Sequence, residues 1–267
     1  SFVSTNVQAN LGVGITSPVK IKGFMIEDHE VLGFEGQIIF LNMDVQYQQR
    51  FNPWLSMYLN FTLAGRVGSD LSTILADGVN TISGGGIGWL FRIYQSKKFN
   101  LSGSFDVNNI NGSFMNVSQY VEDLINDVPD ASVTKTIPSL SAGLGAQGAY
   151  AFSPVFGAQF HASYYIGETF SRDGTKNFYS AGIMGDVDFL PRQSVPIGLA
   201  LGYTITSSPY VIMAEGGYSH MIGGKIAYTG SKEFELGLQY TYYKLNIEDI
   251  DSNPSINHVT LVVKLFF

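Results

Sequence analysis

From Asn6 to Phe267 the chain keeps returning to one pattern, an apolar side chain at every second position. In the first run Val7, Ala9, Leu11, Val13 and Ile15 alternate with Asn6, Gln8, Asn10, Gly12 and Gly14. Ile39, Leu41, Met43, Val45 and Tyr47 alternate with Phe40, Asn42, Asp44, Gln46 and Gln48, and a turn at Pro53 leads into Leu55, Met57, Leu59, Phe61 and Leu63. Period two belongs to a strand, whose successive side chains point to opposite faces. The spacing predicts about twelve such segments, most of ten or more residues. Strands in soluble sheets are more often about five or six residues long.

Connection lengths narrow the choice. Short links at Pro53, Ser96, Ser153, Pro191 and Gly230 alternate with long ones at 16–34, 67–81, 108–138, 167–176, 206–214 and 246–257. Short turns on one side and long loops on the other are what a transmembrane barrel of tilted strands produces. An even strand count then puts both ends of the sequence on the short-turn side. Within 108–138, Val117, Tyr120, Val121, Leu124, Ile125 and Val128 recur at helical spacing, which predicts one short amphipathic helix inside that loop.

Alternation alone does not say what covers the apolar face. The opposite face does. A soluble strand would carry Lys, Glu and Thr outward, whereas here that face is small and neutral, with Gly143, Gly145 and Gln147, Gly198, Ala200 and Gly202, and Gly237 and Gln239. Charged residues make up 14% of the chain, against roughly 25% in an average protein. That lining reads as an interior, so the apolar face is the exterior. Aromatic side chains also crowd the short turns, at Tyr47, Phe51, Trp54, Tyr94, Phe99, Tyr150, Phe152, Phe156, Phe189, Tyr228, Phe234, Phe266 and Phe267. Rings gather in this way at a membrane–water boundary. Trp89, Phe105, Tyr164, Tyr179, Tyr203 and Tyr242 form the expected upper band. The predicted fold is all-β: a transmembrane antiparallel up-and-down β-barrel of about twelve strands occupying 1–267 as one domain.

The chain ends on His258-Val-Thr-Leu-Val-Val-Lys-Leu-Phe-Phe267, with Leu261, Val263, Leu265 and Phe267 at two-residue steps. In this, and in the pattern along nearly its whole length, it resembles the Gram-negative outer-membrane β-barrel proteins. The resemblance implies a bacterial outer-membrane location, contact with outer-membrane lipid and lipopolysaccharide, and reading of the last strand by the barrel-assembly machinery during biogenesis. The final strand departs from the fuller pattern by containing no glycine. Ser1 to Ser4 reads as a start left after trimming.

Other chemistries find little purchase. There is no cysteine, hence no disulfide framework, thiolate metal site or cysteine nucleophile, and a formal charge of −7 without a basic patch argues against nucleic acid. Gly143 to Gly148 spells GxGxxG, but the alternation runs straight through it to Tyr150, so it reads as a strand lined with small residues rather than a dinucleotide loop. The acidic stretch around Glu248, Asp249 and Asp251 fits no EF-hand spacing and reads as a solvated loop. Four histidines occur: His29 in a loop, and His161, His220 and His258 on strands. His258, near the outer rim and the acidic loop, is the residue a lipid-modifying enzyme would use. No catalytic residue, cofactor or metal ligand is assigned.

The inward charges carry the functional reading. Asp44, Arg66, Arg92, Asp106, His161, Asp186, Asp188, Lys225, Glu235 and Lys264 are the expected pore-lining residues. Asp44, Arg92, Asp186, Asp188, Lys225, Glu235 and Lys264 are placed in the lower half of the barrel, and Arg66 and Asp106 higher. Charges of both signs among glycines suit a watery lumen, where such groups select solutes by field and size. The expectation is a monomeric channel for passive diffusion of small polar solutes. Three alternatives stay open: a salt-bridged, plugged barrel serving a secretion or assembly complex, a conduit for hydrophobic molecules, and an outer-membrane lipid-modifying enzyme.

Overall fold

The structure is a computed structural model that describes residues 2–21, 24–26, 29–31, 34–68, 78–168, 175–207, 218–245 and 254–267. Strand β1 (Asn6–Thr16) is followed by four three-residue strands, β2 (Val19–Ile21), β3 (Phe24–Ile26), β4 (His29–Val31) and β5 (Phe34–Gly36). Of these, β2 pairs with β5 and β3 with β4, each an antiparallel two-stranded sheet of its own. The long strands are β6 (Ile39–Asn52), β7 (Leu55–Val67), β8 (Gly78–Gln95), β9 (Phe99–Met115), β10 (Thr134–Ala151) and β11 (Phe156–Glu168). They continue through β12 (Thr175–Asp188), β13 (Ile197–Thr206), β14 (Ser219–Tyr228), β15 (Phe234–Leu245) and β16 (Ser255–Phe266).

Each long strand pairs antiparallel with its neighbour in sequence, and β1 pairs with both β6 and β16, closing a barrel of 12 strands. Closure follows from the surroundings, because hydrocarbon offers no partner to the amides of an open edge. The distribution of side chains is the reverse of a soluble protein. Buried positions hold Asn6, Gln48, Ser56, Ser102, Asp106, Thr241 and Thr260, whereas Leu144, Ile183 and Leu201 each expose more than 60% of their surface. An apolar outside around a polar inside is stable only where the outside meets lipid. Among the described residues no helix is long and apolar enough to cross a membrane; the strands do the crossing.

The ring girdle at the short-turn end is continuous over two turns, from β8 to β11. Centroids run Tyr94–Phe99 at 6.0 Å, Phe99–Tyr150 at 6.4 Å, Tyr150–Phe152 at 4.9 Å and Phe152–Phe156 at 5.3 Å. At the long-loop end Tyr179 lies 5.6 Å from Tyr218, and Tyr203 stacks on His220 at 6.1 Å. Trp89 and Phe105 do stack, at 5.8 Å, but not in that upper band. Trp89 pairs with Met57, two residues from the lower end of β7, so the stack sits toward the short turns. It lies below the expected upper band because β8 runs far beyond the lipid at its other end.

The same over-run corrects the longest loop. Pairs Asn109↔Leu140, Asn111↔Pro138, Ser113↔Thr136 and Met115↔Thr134 extend β9 and β10 well into the expected 108–138 segment, leaving 116–133 as the connection. Polar outward residues ended the hydropathic signal where the ribbon left the lipid, while the backbone ladder went on. Helix α1 (Val117–Ile125) lies in that connection, N-capped by Asn116, whose side chain accepts from the Gln119 N–H at 2.9 Å. A single turn, α2 (Leu190–Gln193), with Pro191 in its first turn, makes the short link between β12 and β13.

Candidate functional site: the barrel lumen

Strand alternation and register put the side chains of all ten expected pore-lining residues on the inward face. They fall into separate groups rather than one charged zone. Toward the short turns, Lys225 Nζ donates to Glu235 Oε1 at 2.7 Å, both side chains a little under one third exposed. Lys264 is the cross-strand partner of Glu235, yet Glu235 is held by Lys225. The Lys264 ammonium instead lies 5.1 Å from the Phe266 ring centroid, with no carboxylate within 4.0 Å among the described residues.

Asp186 rests over Gly157, where a Cβ would stand 3.0 Å from its carboxylate. Asp188 accepts from the Thr229 hydroxyl at 2.8 Å and from the Leu190 N–H at 3.1 Å, so it ties the β12–β13 and β14–β15 turns together. Arg66 stands at the long-loop end, donating from Nη2 to the Val79 carbonyl at 2.7 Å. Arg92 lies at a β-bulge near the short turns. His161 faces inward opposite Gln147 and is exposed, so solvent reaches it through the lumen.

Asp44 departs from the lower-half placement. It sits mid-strand, at the head of a directed chain of hydrogen bonds. Asn42 Nδ2 donates to Asp44 Oδ2 at 3.0 Å and the Thr62 hydroxyl donates to Oδ1 at 2.8 Å. Asn42 Oδ1 can only accept, so His258 Nε2 donates to it, at 2.6 Å, leaving Nδ1 to accept from Thr260 at 3.1 Å. Phe40 stacks on the His258 ring with centroids 6.2 Å apart, and Tyr243 meets it edge-on at 6.1 Å. His258 therefore contacts an amide and a hydroxyl here. Glu248, Asp249 and Asp251 lie outside the described residues, as does the His29 side chain.

Asp106 is buried in a network of its own, bonded by Tyr58 and by Asn108 Nδ2 at 2.9 Å. Asn60 Nδ2 in turn donates to Asn108 Oδ1 at 3.3 Å. Gly88 and Gly143 leave room for the rings of Tyr58 and Tyr165, which a Cβ at either position would strike. Among the described residues no group of three or more His, Asp or Glu gathers as a metal site.

Among the described residues, two cavities lie in the lumen. One of about 450 Å³ is lined by Gln8, Asn10, Asn42, Asp44, Thr260, Gln159 and Met184 together with Lys225, Glu235 and Lys264. The other, of about 540 Å³, lies toward the short turns and is walled by Gln46, Gln48, Tyr58, Ser104, Gln147 and Lys264. Phe2 and Ser4 also line the second cavity, because the stretch before β1 turns inward across the barrel mouth. Val3 is 1% exposed there, and Gln48 Nε2 reaches the Phe2 carbonyl at 2.7 Å, the Ser4 carbonyl at 2.9 Å and Ser56 Oγ at 3.1 Å. This clamp was not read from the sequence; nothing local marks Gln48 as different from Gln46.

No protein-family model matches the chain, and no curated protein matches it. Solved structures do match. The porin NanC superposes with a TM-score of 0.56 at 8% identity, over 97% of this chain and 100% of that one. The β-domain of the Bordetella autotransporter BrkA gives 0.55 at 12% identity, over 99% and 100%. The KdgM porin, in complex with disordered oligogalacturonate, gives 0.50 at 8% identity, over 97% and 99%.

The fold is that of the bacterial outer-membrane β-barrels. An outer membrane is also where the apolar exterior and the two ring girdles fit. At these identities the likeness extends to architecture alone, and porins and autotransporter barrels share it equally. The choice between them rests on the lumen.

Proposed function

We propose that this barrel is a monomeric outer-membrane channel through which small polar solutes diffuse passively. The observation that carries this reading is the pair of polar cavities stacked along the lumen, with His161 open to solvent between polar walls. Amides, hydroxyls and charges of both signs offer a hydrated solute replacement partners along its path. Oligogalacturonate, the polyanion bound by KdgM, is a poor fit: Asp44, Asp106, Asp186, Asp188 and Glu235 would repel it at several levels.

One observation favours a second reading, a closed barrel acting as scaffold. The Phe2–Ser4 stretch narrows the short-turn mouth, and Gln48 fastens it. Planar-bilayer recording of the refolded protein separates the two. A channel gives discrete current steps, and vesicles holding it swell in isotonic solutions of small sugars and amino acids but not of large oligosaccharides. Silence in both assays would overturn the channel and leave the scaffold.

A further inference from the structure

The lumen holds opposite charges in two different conditions. Lys225 and Glu235 satisfy each other at 2.7 Å. Asp44 and Lys264 do not have such partners. Asp44 receives only neutral donors, Asn42 and Thr62, and no cation stands within 4.0 Å of it among the described residues. A carboxylate offers about four acceptor sites, and two are used. Lys264 has three N–H donors; its ammonium faces the Phe266 ring, feels the Glu235 carboxylate across the strand pair, and has no carboxylate within 4.0 Å among the described residues. Both residues line the same cavity of about 450 Å³.

Their spacing follows from register. Asp44 pairs with Asn10 and Lys264 with Gln8, on opposite sides of β1. Two strand spacings and one two-residue step put their Cα atoms about 12 Å apart. Both side chains line the cavity, the Lys264 ammonium lying over Phe266, and the separation suits a solute whose own charges lie a few ångströms apart. Strand β1 between them carries Gln8 and Asn10, bonded to each other at 3.1 Å, and Gln239 and Thr260 also line the cavity as neutral groups.

We propose that this cavity is a binding site for small zwitterions of the α-amino-acid class, with Asp44 taking the ammonium group and Lys264 the carboxylate. The proposal deepens the channel reading and rests on it for the route by which the solute arrives. A solute with only one charge leaves one of the two protein charges unanswered, while a zwitterion answers both and brings no net charge into the lumen.

Ligand-observed NMR on the folded barrel in detergent tests the site without requiring conduction. The probes are L-alanine, N-acetyl-L-alanine as the anion and L-alanine methyl ester as the cation. L-Alanine should bind about tenfold more tightly than either derivative, the scale of one charge-assisted hydrogen bond. Asp44→Asn and Lys264→Gln should each remove that preference while keeping the wild-type circular dichroism and heat-modifiable gel mobility. Equal binding of the three probes, no binding of any, or an undiminished preference in both variants would overturn the proposal. Current steps in bilayers without a preference for L-alanine would leave the channel standing and remove the site. L-Alanine binding without current would do the reverse.

Discussion

At Gly88 a missing side chain is what lets Tyr58 reach Asp106. A Cβ there would strike the Tyr58 ring. Gly88→Val should therefore lower the unfolding free energy in detergent by about 1–3 kcal/mol, the usual cost of overpacking. Gly185→Ala is the control, since nothing lies within 4 Å of a Cβ added there, and urea titration should show it unchanged or slightly more stable. Charge acts at the same scale. Glu235→Gln leaves Lys225 and Lys264 together on the wall without the carboxylate that answers Lys225. The reversal potential across a salt gradient should move toward anion permeation, and an unmoved potential would remove this group from the selectivity of the lumen.

At the scale of elements, the stretch before β1 behaves as a strap drawn inward by one glutamine. Gln48→Ala removes its bonds to Phe2 and Ser4 while leaving β6 paired on both sides. Single-channel conductance should rise; equal conductance would mean that the strap does not limit flow. Much at this scale was legible in the sequence. Alternation revealed the strands from Leu11 and Leu41 through to Leu261, and the turn at Pro53 and the helix at Val117–Ile125 were visible as local signals. What escaped has a physical reason. Hydropathy marks the lipid, not the ladder, so it lost β9 and β10 at Asn109 and Asn111 and misplaced Trp89. Residues that meet only across the closed wall escaped too. Asn42 and Asp44 share a face and could be paired by counting, but His258 joins them from 216 positions away, through a register that only closure sets.

At the scale of the whole molecule, the distribution of side chains is inverted: greasy outside, wet inside. Leu201 on β13 points outward between Gly185 and Gly224 and is 67% exposed. An arginine there should cost about 2–4 kcal/mol if the position lies near the bilayer midplane. The inward Thr204→Arg should cost less than about 1 kcal/mol, because water can solvate it. Reversible unfolding from lipid vesicles measures both.

The absence of cysteine from the chain permits a still more direct test. Single cysteines placed in turn at Leu199, Ala200, Leu201, Gly202, Tyr203 and Thr204 can be titrated in intact vesicles with a small water-soluble methanethiosulfonate. Labelling should alternate, fast at 200, 202 and 204 and slow at 199, 201 and 203. Fast labelling at Leu201 and its outward neighbours would contradict a lipid-facing exterior, and protection at all six would contradict a lumen open to water.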